Sequence, residues 1–125
     1  MKLQPDRTQS QTITAHGAGW VAIDGEKVHV SIVIGSHGER FDWPCRHFDE
    51  LSASLFEPIA AIGAELVIFG SGERLRFPKP EWLAALTARQ IGVETMDTAA
   101  ACRSYNVLVG DGRHVVAALL LESKG

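Results

Sequence analysis

Leu66-Val67-Ile68-Phe69-Gly70, Val93-Glu94-Thr95-Met96 and His114-Val115-Val116-Ala117-Ala118-Leu119-Leu120-Leu121 are three largely apolar runs separated by two segments with helical spacing. Glycine punctuates every break, at Gly70-Ser71-Gly72, at Gly92 and at Gly110-Asp111-Gly112. The pattern reads as β-α-β-α-β. Leu66 to Phe69 is apolar at successive positions, so both sides of its pleat avoid water, as in the middle of an α/β sheet. Crossovers between parallel strands are right-handed, and both helices are therefore expected on one side of the three strands.

Within this unit, Pro80 suits the first turn of a helix. Trp82, Leu83 and Leu86 mark its apolar stripe, and Gly92 stands where a left-handed residue would close it. Asp97 or Thr98 caps the second helix by accepting from a free backbone N–H. That helix runs on through Ala99-Ala100-Ala101-Cys102, with Cys102, Tyr105 and Val109 on one stripe.

Upstream, the chain reads as an antiparallel meander. Gln11 to His16 alternates polar and apolar residues, Trp20 to Ile23 follows, and Asp24-Gly25 favours a tight hairpin. Val28 to Ile34 reads as one strand with residues 28, 30, 32 and 34 on its apolar face. Arg40 to Trp43 is another strand, stopped by Pro44. Phe48, Leu51, Leu55 and Phe56 then follow helical spacing until Pro58, which should end that helix. These strands are expected to make a second sheet beside the parallel one. Residues 1 to 10 read as a loose arm and 122 to 125 as a frayed polar tail, so that residues 1 to 125 form a single domain.

The totals exclude several classes of function. The 125 residues carry 12 Lys and Arg against 15 Asp and Glu, a net charge of −3 with the basic residues scattered, so no nucleic-acid partner is expected. No apolar run approaches the ~20 residues of a membrane-spanning helix, and the N-terminus lacks the apolar core of a secretory signal. The two cysteines, Cys45 and Cys102, form no CxxC pair and read as reduced thiols of a cytoplasmic protein. The five histidines have no HxxxH or HxH spacing, and Cys45-Arg46-His47 lacks a second pair to complete a tetrahedral site, so neither a metal nor a cofactor is expected.

Gly70-Ser71-Gly72, Phe77-Pro78, Gly92 through Leu108 and Val115-Val116-Ala117-Ala118-Leu119 together resemble one family of small domains. It includes a mitochondrial respiratory complex I assembly factor and an adipogenesis-associated protein, with many bacterial members of unknown function. The resemblance runs from about residue 13 to residue 121 and is most specific between Gly92 and Leu108. It implies an α/β fold of three layers, β/β/α, and a role in partner interaction with no catalytic residues carried over. Many relatives have threonine at the position of Ser71, which keeps the hydroxyl.

Two sets of residues stand out. Gly70, Ser71, Gly72, Asp97, Thr98 and Cys102 lie at strand ends and a helix start, where α/β proteins place ligand crevices. The dipole of that helix could activate Cys102. Against this, Gly70-Ser71-Gly72 completes no phosphate-binding motif, and a cysteine among alanines is ordinary filler. Arg74, Arg76, Lys79 and Trp82 near the loop, with Arg103 on the next helix and together with Arg40 and Trp43 from the first half of the chain, combine positive charge with aromatics as interface hot spots do, although Trp82 also suits a helix core. The reading is a non-enzymatic binding domain that recruits another protein, with homodimerisation left open. The alternative is a small-molecule or anion-binding protein, or an enzyme, using the crevice between Gly70–Gly72 and Asp97–Cys102.

Overall fold

A computed structural model of the protein describes residues 11–122. The expected loose arm and residues 123–125 of the tail lie outside these bounds. Eight strands and three α-helices follow one another: β1 Ile13–Gly17, β2 Trp20–Ile23, β3 Glu26–Val28, β4 Ile32–Gly35, β5 Arg40–Asp42, α1 Ala53–Ile62, β6 Leu66–Gly70, α2 Ala84–Ala88, β7 Gly92–Met96, α3 Thr98–Gly110 and β8 Val115–Leu119. Short 3-10 turns cover Phe48–Glu50 and Pro80–Leu83.

The strands form two sheets. β1-β2-β3 is a small antiparallel sheet whose second hairpin turns at Asp24-Gly25, both with positive φ (50° and 91°) as a two-residue primed turn demands. The larger sheet has the order β5-β4-β8-β6-β7, in which β6 pairs parallel with both β7 and β8 while β4 pairs antiparallel with β5 and β8. β4 and β5 thus extend the parallel unit, and only the first three strands make the separate sheet.

That order also corrects the placement of the helices. From β6 the chain steps to β7 on one side, then returns across β6 to reach β8 on the other. Two right-handed crossovers in opposite directions place their helices on opposite faces. Val67, Phe69, Val116, Ala118 and Leu120 accordingly pack with α1 and α2, around Phe56, Ile59 and Leu86. Ile68, Val115, Ala117 and Leu119 pack with α3 and the small sheet, around Tyr105, Val21 and Ile23. The β/β/α layering is present, with α3 set beside the small sheet.

Several local expectations differ from the structure. The helical spacing read from Phe48 to Phe56 is interrupted: a 3-10 turn covers Phe48–Glu50, Leu51 and Ser52 are extended, and α1 begins only at Ala53. Val28 to Ile34 is broken at Ser31, because the chain there leaves the small sheet for the large one. The buried Ser31 hydroxyl accepts from Leu121 N (2.8 Å), and Val30 is left 52% exposed. Pro58 lies inside α1, which runs on to Gly63 in the left-handed conformation (φ 74°). Burial of Phe56, Ile59 and Ala60 on the sheet outweighs the backbone hydrogen bond the proline forfeits. Finally, Gln90 (φ 60°) takes the left-handed role expected of Gly92. Ile91 N then donates to Leu86 O (3.0 Å) across it, and Gly92 opens β7.

Candidate functional site

β6 and β7 end side by side, and the loop after β6 is laced to the start of α3. Ser71 N donates to Met96 O (2.8 Å) and Thr98 N to Gly72 O (2.8 Å). The buried Thr98 hydroxyl accepts from Gly72 N and donates to Leu120 O, both at 2.9 Å, so one side chain joins three elements. Asp97 caps α3 by accepting from Ala100 N (2.8 Å). Gly70 allows close approach here: a Cβ on it would lie 3.0 Å from Thr98 Oγ1 and 3.1 Å from the Ala101 Cβ, so α3 would have to give by a few tenths of an ångström.

A crevice of about 300 Å³ opens at this junction. Of the crevice residues singled out in the sequence, Gly72, Asp97 and Thr98 lie in its lining. Its other wall comes from His16 and Gly17 at the end of β1 and Ala18 and Gly19 in the turn to β2, with Glu73 and the segment Leu120 to Glu122 completing it. No local pattern announced that wall, because it belongs to the other sheet. Gly70 and Ser71 stand behind the lining, fully occupied in holding the loop, and Cys102 is buried one turn further into α3. Burial pushes the Cys102 thiol up to about 11, with Asp97 adding to the rise against the pull of Arg103. It is therefore a protonated packing group. Cys45 resembles it: burial and Glu50 raise it to about 11, and its Sγ donates to the His47 carbonyl.

The electrostatics of the crevice disfavour an anion. Glu73, Asp97 and Glu122 bring three carboxylates to it. The nearby cation, Arg76, is already engaged, pairing with Glu122 and donating to Ser71 O (2.7 Å). Glu122 also accepts from Phe48 N (2.9 Å), so this first residue of the polar tail is tied down on both carboxylate oxygens.

The same pairs shape the neighbouring surface. The Ser71 hydroxyl donates to Arg74 O (2.8 Å) and accepts from Arg76 N (3.0 Å), which folds residues 71–76 into a pinned loop. The Arg76 guanidinium lies 4.7 Å from the Phe48 ring, Phe48 lies 5.7 Å from Trp82, and Lys79 stands 5.7 Å over the Trp82 ring. Arg74 is exposed on this loop and Trp82 is half-buried against the core. Arg103 is exposed on α3, which covers the opposite face of the sheet from Trp82. Trp43 is a core residue, edge-on to Phe56 and Phe69, with its indole donating to Leu55 O (2.9 Å). The loop also presents Leu75 and Phe77, 52% and 69% exposed. Apolar residues default to the core when read from sequence, so neither had stood out.

A family described as "Protein of unknown function (DUF498/DUF598)" matches residues 13–120. A crystal structure from Bordetella parapertussis aligns with 35% identity over 90% of this chain and 97% of that one, with a TM-score of 0.85. A solution structure from Bordetella pertussis, described as a Mth938-like domain, shares 30% identity over 98% of this chain and 94% of its own, with a TM-score of 0.83. The human NADH dehydrogenase (ubiquinone) 1 alpha subcomplex assembly factor 3 is 27% identical over 120 residues, 94% of this chain. The chain spans less than two thirds of the length of such relatives, 65% for the human protein and 30% for the bovine one. Among the described residues, no helix is long and apolar enough to cross a membrane.

Proposed function

The chain belongs to this DUF498/DUF598 family, and we propose that it is a non-enzymatic protein-interaction domain, an accessory factor in the assembly of another protein. The reading rests first on the loop between β6 and α2. Leu75 and Phe77 hold more than half of their surface in water, at a cost of roughly 1 kcal/mol or more each relative to burial. The loop that carries them is fixed by Ser71 and by the Arg76–Glu122 pair, so docking would order little that is not already ordered. Arg74 and Lys79 flank the two apolar side chains, and the partner surface that fits them is apolar with an acidic rim. The likeness to an assembly factor supports the same reading. So does the state of the two thiols, neither of which is available as a nucleophile.

The test is capture of partners from the source organism's extract, with Arg74→Glu and Leu75→Ser/Phe77→Ser variants in parallel. Arg76 is unsuitable for such a variant because it holds the loop together. A partner bound by the native chain and lost in both variants, with unfolding midpoints unchanged, supports the proposal. A partner retained by both variants contradicts it. The crevice favours a second reading, a small polar or cationic ligand met by the exposed Glu73, with Asp97 and Glu122 adding negative potential while each already accepts hydrogen bonds within the protein. A screen of amines and polyols that leaves the midpoint unmoved would sink that reading, since a ligand of the native state raises apparent stability.

A further inference from the structure

The β4–β5 turn and the approach to β8 bring together three donor groups that the histidine spacing in the sequence conceals. The turn is Gly35-Ser36-His37-Gly38-Glu39, closed by Gly35 N donating to Glu39 O (2.8 Å), with Gly38 at φ 96°. His114 directly precedes β8. Its Nε2 lies 2.8 Å from Glu39 Oε2, and its ring stacks on that of His37 with centroids 3.7 Å apart and planes 4° from parallel. One ligand atom from each of His37, Glu39 and His114 lies within 4.8 Å of the others, and this is the cluster of its kind among the described residues.

We propose that His37, Glu39 and His114 form a binding site for a divalent transition-metal ion, with Zn²⁺ as its reference occupant. Two imidazoles and one carboxylate are a donor set for borderline cations, which leaves further coordination positions open. Neutral imidazole selects such ions over Mg²⁺ and Ca²⁺, which require oxygen.

The backbone beneath the cluster is built for position. Ser36 N donates to Val115 O (3.0 Å), Val115 N donates to the Ser36 hydroxyl (3.0 Å), and that hydroxyl donates to Arg113 O (2.8 Å). Ser36 adjoins His37 and Val115 adjoins His114, so this clamp fixes both histidine backbones relative to each other. Glu39 is held as well: its Oε1 accepts from His37 N (3.1 Å), the outer-shell contact that orients a ligating carboxylate. A Cβ at Gly35 would meet that same carboxylate, so glycine keeps the space in which it sits. Donor atoms around a four-coordinate zinc stand roughly 3.4 Å apart, given bonds of about 2.0–2.2 Å. The widest separation of 4.8 Å must close by about 1.4 Å. Because an imidazole lone pair lies in the ring plane, His37 must also turn out of its parallel stack on His114 to share an ion with it, and its exposed position leaves room for that rotation. The plainer reading is a His114–Glu39 ion pair. That pair uses two of the three groups, whereas the metal site uses His37 as well. His37 is the exposed member of the three, so water or a donor from a partner protein could complete the coordination from its side.

The full chain, stripped with a chelator, is titrated with ZnCl₂ by calorimetry while the imidazole signals are followed by NMR. The expected result is one equivalent bound, movement of the His37 and His114 signals, a raised unfolding midpoint and no response to MgCl₂. His37→Ala should weaken binding at least about tenfold. Because it also removes the stack on His114, the metal-free midpoint of the variant is measured alongside, and the loss of binding is read at a temperature where the variant is fully folded. Glu39→Gln should weaken binding similarly. No binding overturns the proposal. So does binding that His37→Ala leaves intact, because the ion would then sit on another histidine or a thiol.

Discussion

Thr98→Val should destabilise the protein by about 3 kcal/mol although valine has almost the same shape. The hydroxyl accepts from Gly72 N and donates to Leu120 O, both at 2.9 Å, and Thr98 is 8% exposed. Valine leaves one buried donor and one buried acceptor unpaired, each at about 1–3 kcal/mol. Relaxation of the loop or entry of water through the adjoining crevice recovers part of that sum. For a chain of this size, about 3 kcal/mol corresponds to a drop in unfolding midpoint of roughly 10 °C. Thermal unfolding followed by circular dichroism reads it directly, with Thr98→Ser as the control that keeps the hydroxyl and should lose less than half as much. A Thr98→Val midpoint within about 2 °C of the native value would refute the claim that this side chain holds β6, α3 and β8 together.

Tyr105→Phe should act in the opposite sense. The Tyr105 hydroxyl is buried without a hydrogen-bond partner, and burial, Glu39 and Asp24 all push its pKa above the ordinary range. Removing it should leave stability unchanged or raise it by up to about 1 kcal/mol, measured by denaturant unfolding; a loss above 1 kcal/mol would reveal a partner for the hydroxyl. Cys45 and Cys102 should both resist a thiol reagent at pH 8 and react together once guanidinium unfolds the chain. Rapid labelling of either in the native protein contradicts the packing described. Glu39 carries a pH signature. Burial raises its pKa, but hydrogen bonds from its own backbone, His114 and His37 N, with the His114 charge, outweigh burial and leave it lowered. A lowered carboxylate pKa contributes stability that is present above the ordinary carboxylate range and is lost as pH falls through the folded-state value. The stability gap between the native chain and Glu39→Gln should therefore narrow in acid, and a gap independent of pH would contradict it.

The parallel unit was legible in the sequence because β6 and β8 are covered on both faces. The run Val115–Leu119 is wholly buried, and the water it avoids on each side leaves a continuous apolar signature. Strand order was not legible, since the same periodicity suits β6-β7-β8 and β8-β6-β7, and with it went the side on which each helix lies. Val28 to Ile34 misled because its alternation continues through Ser31, where tertiary hydrogen bonds to Leu121 redirect the chain. At the crevice, Gly72, Asp97 and Thr98 could be found from strand ends and a cap, which are local features. Its other wall at His16–Gly19, and the meeting of His37 with His114, depend on contacts between segments far apart in sequence. Leu75 and Phe77 were hidden for a different reason: an exposed apolar residue looks in sequence like any core residue.

Docking of a partner protein on the loop that carries Leu75 and Phe77 is the proposal on which the function rests. A photo-crosslinking amino acid placed at Phe77 in the living source cell tests it most directly, with the same probe at Glu57 on the exposed side of α1 as control. The expected result is one discrete protein adduct from position 77, absent from position 57 and lost when Arg74→Glu is added. No adduct at position 77, or the same adducts from both positions, would contradict it.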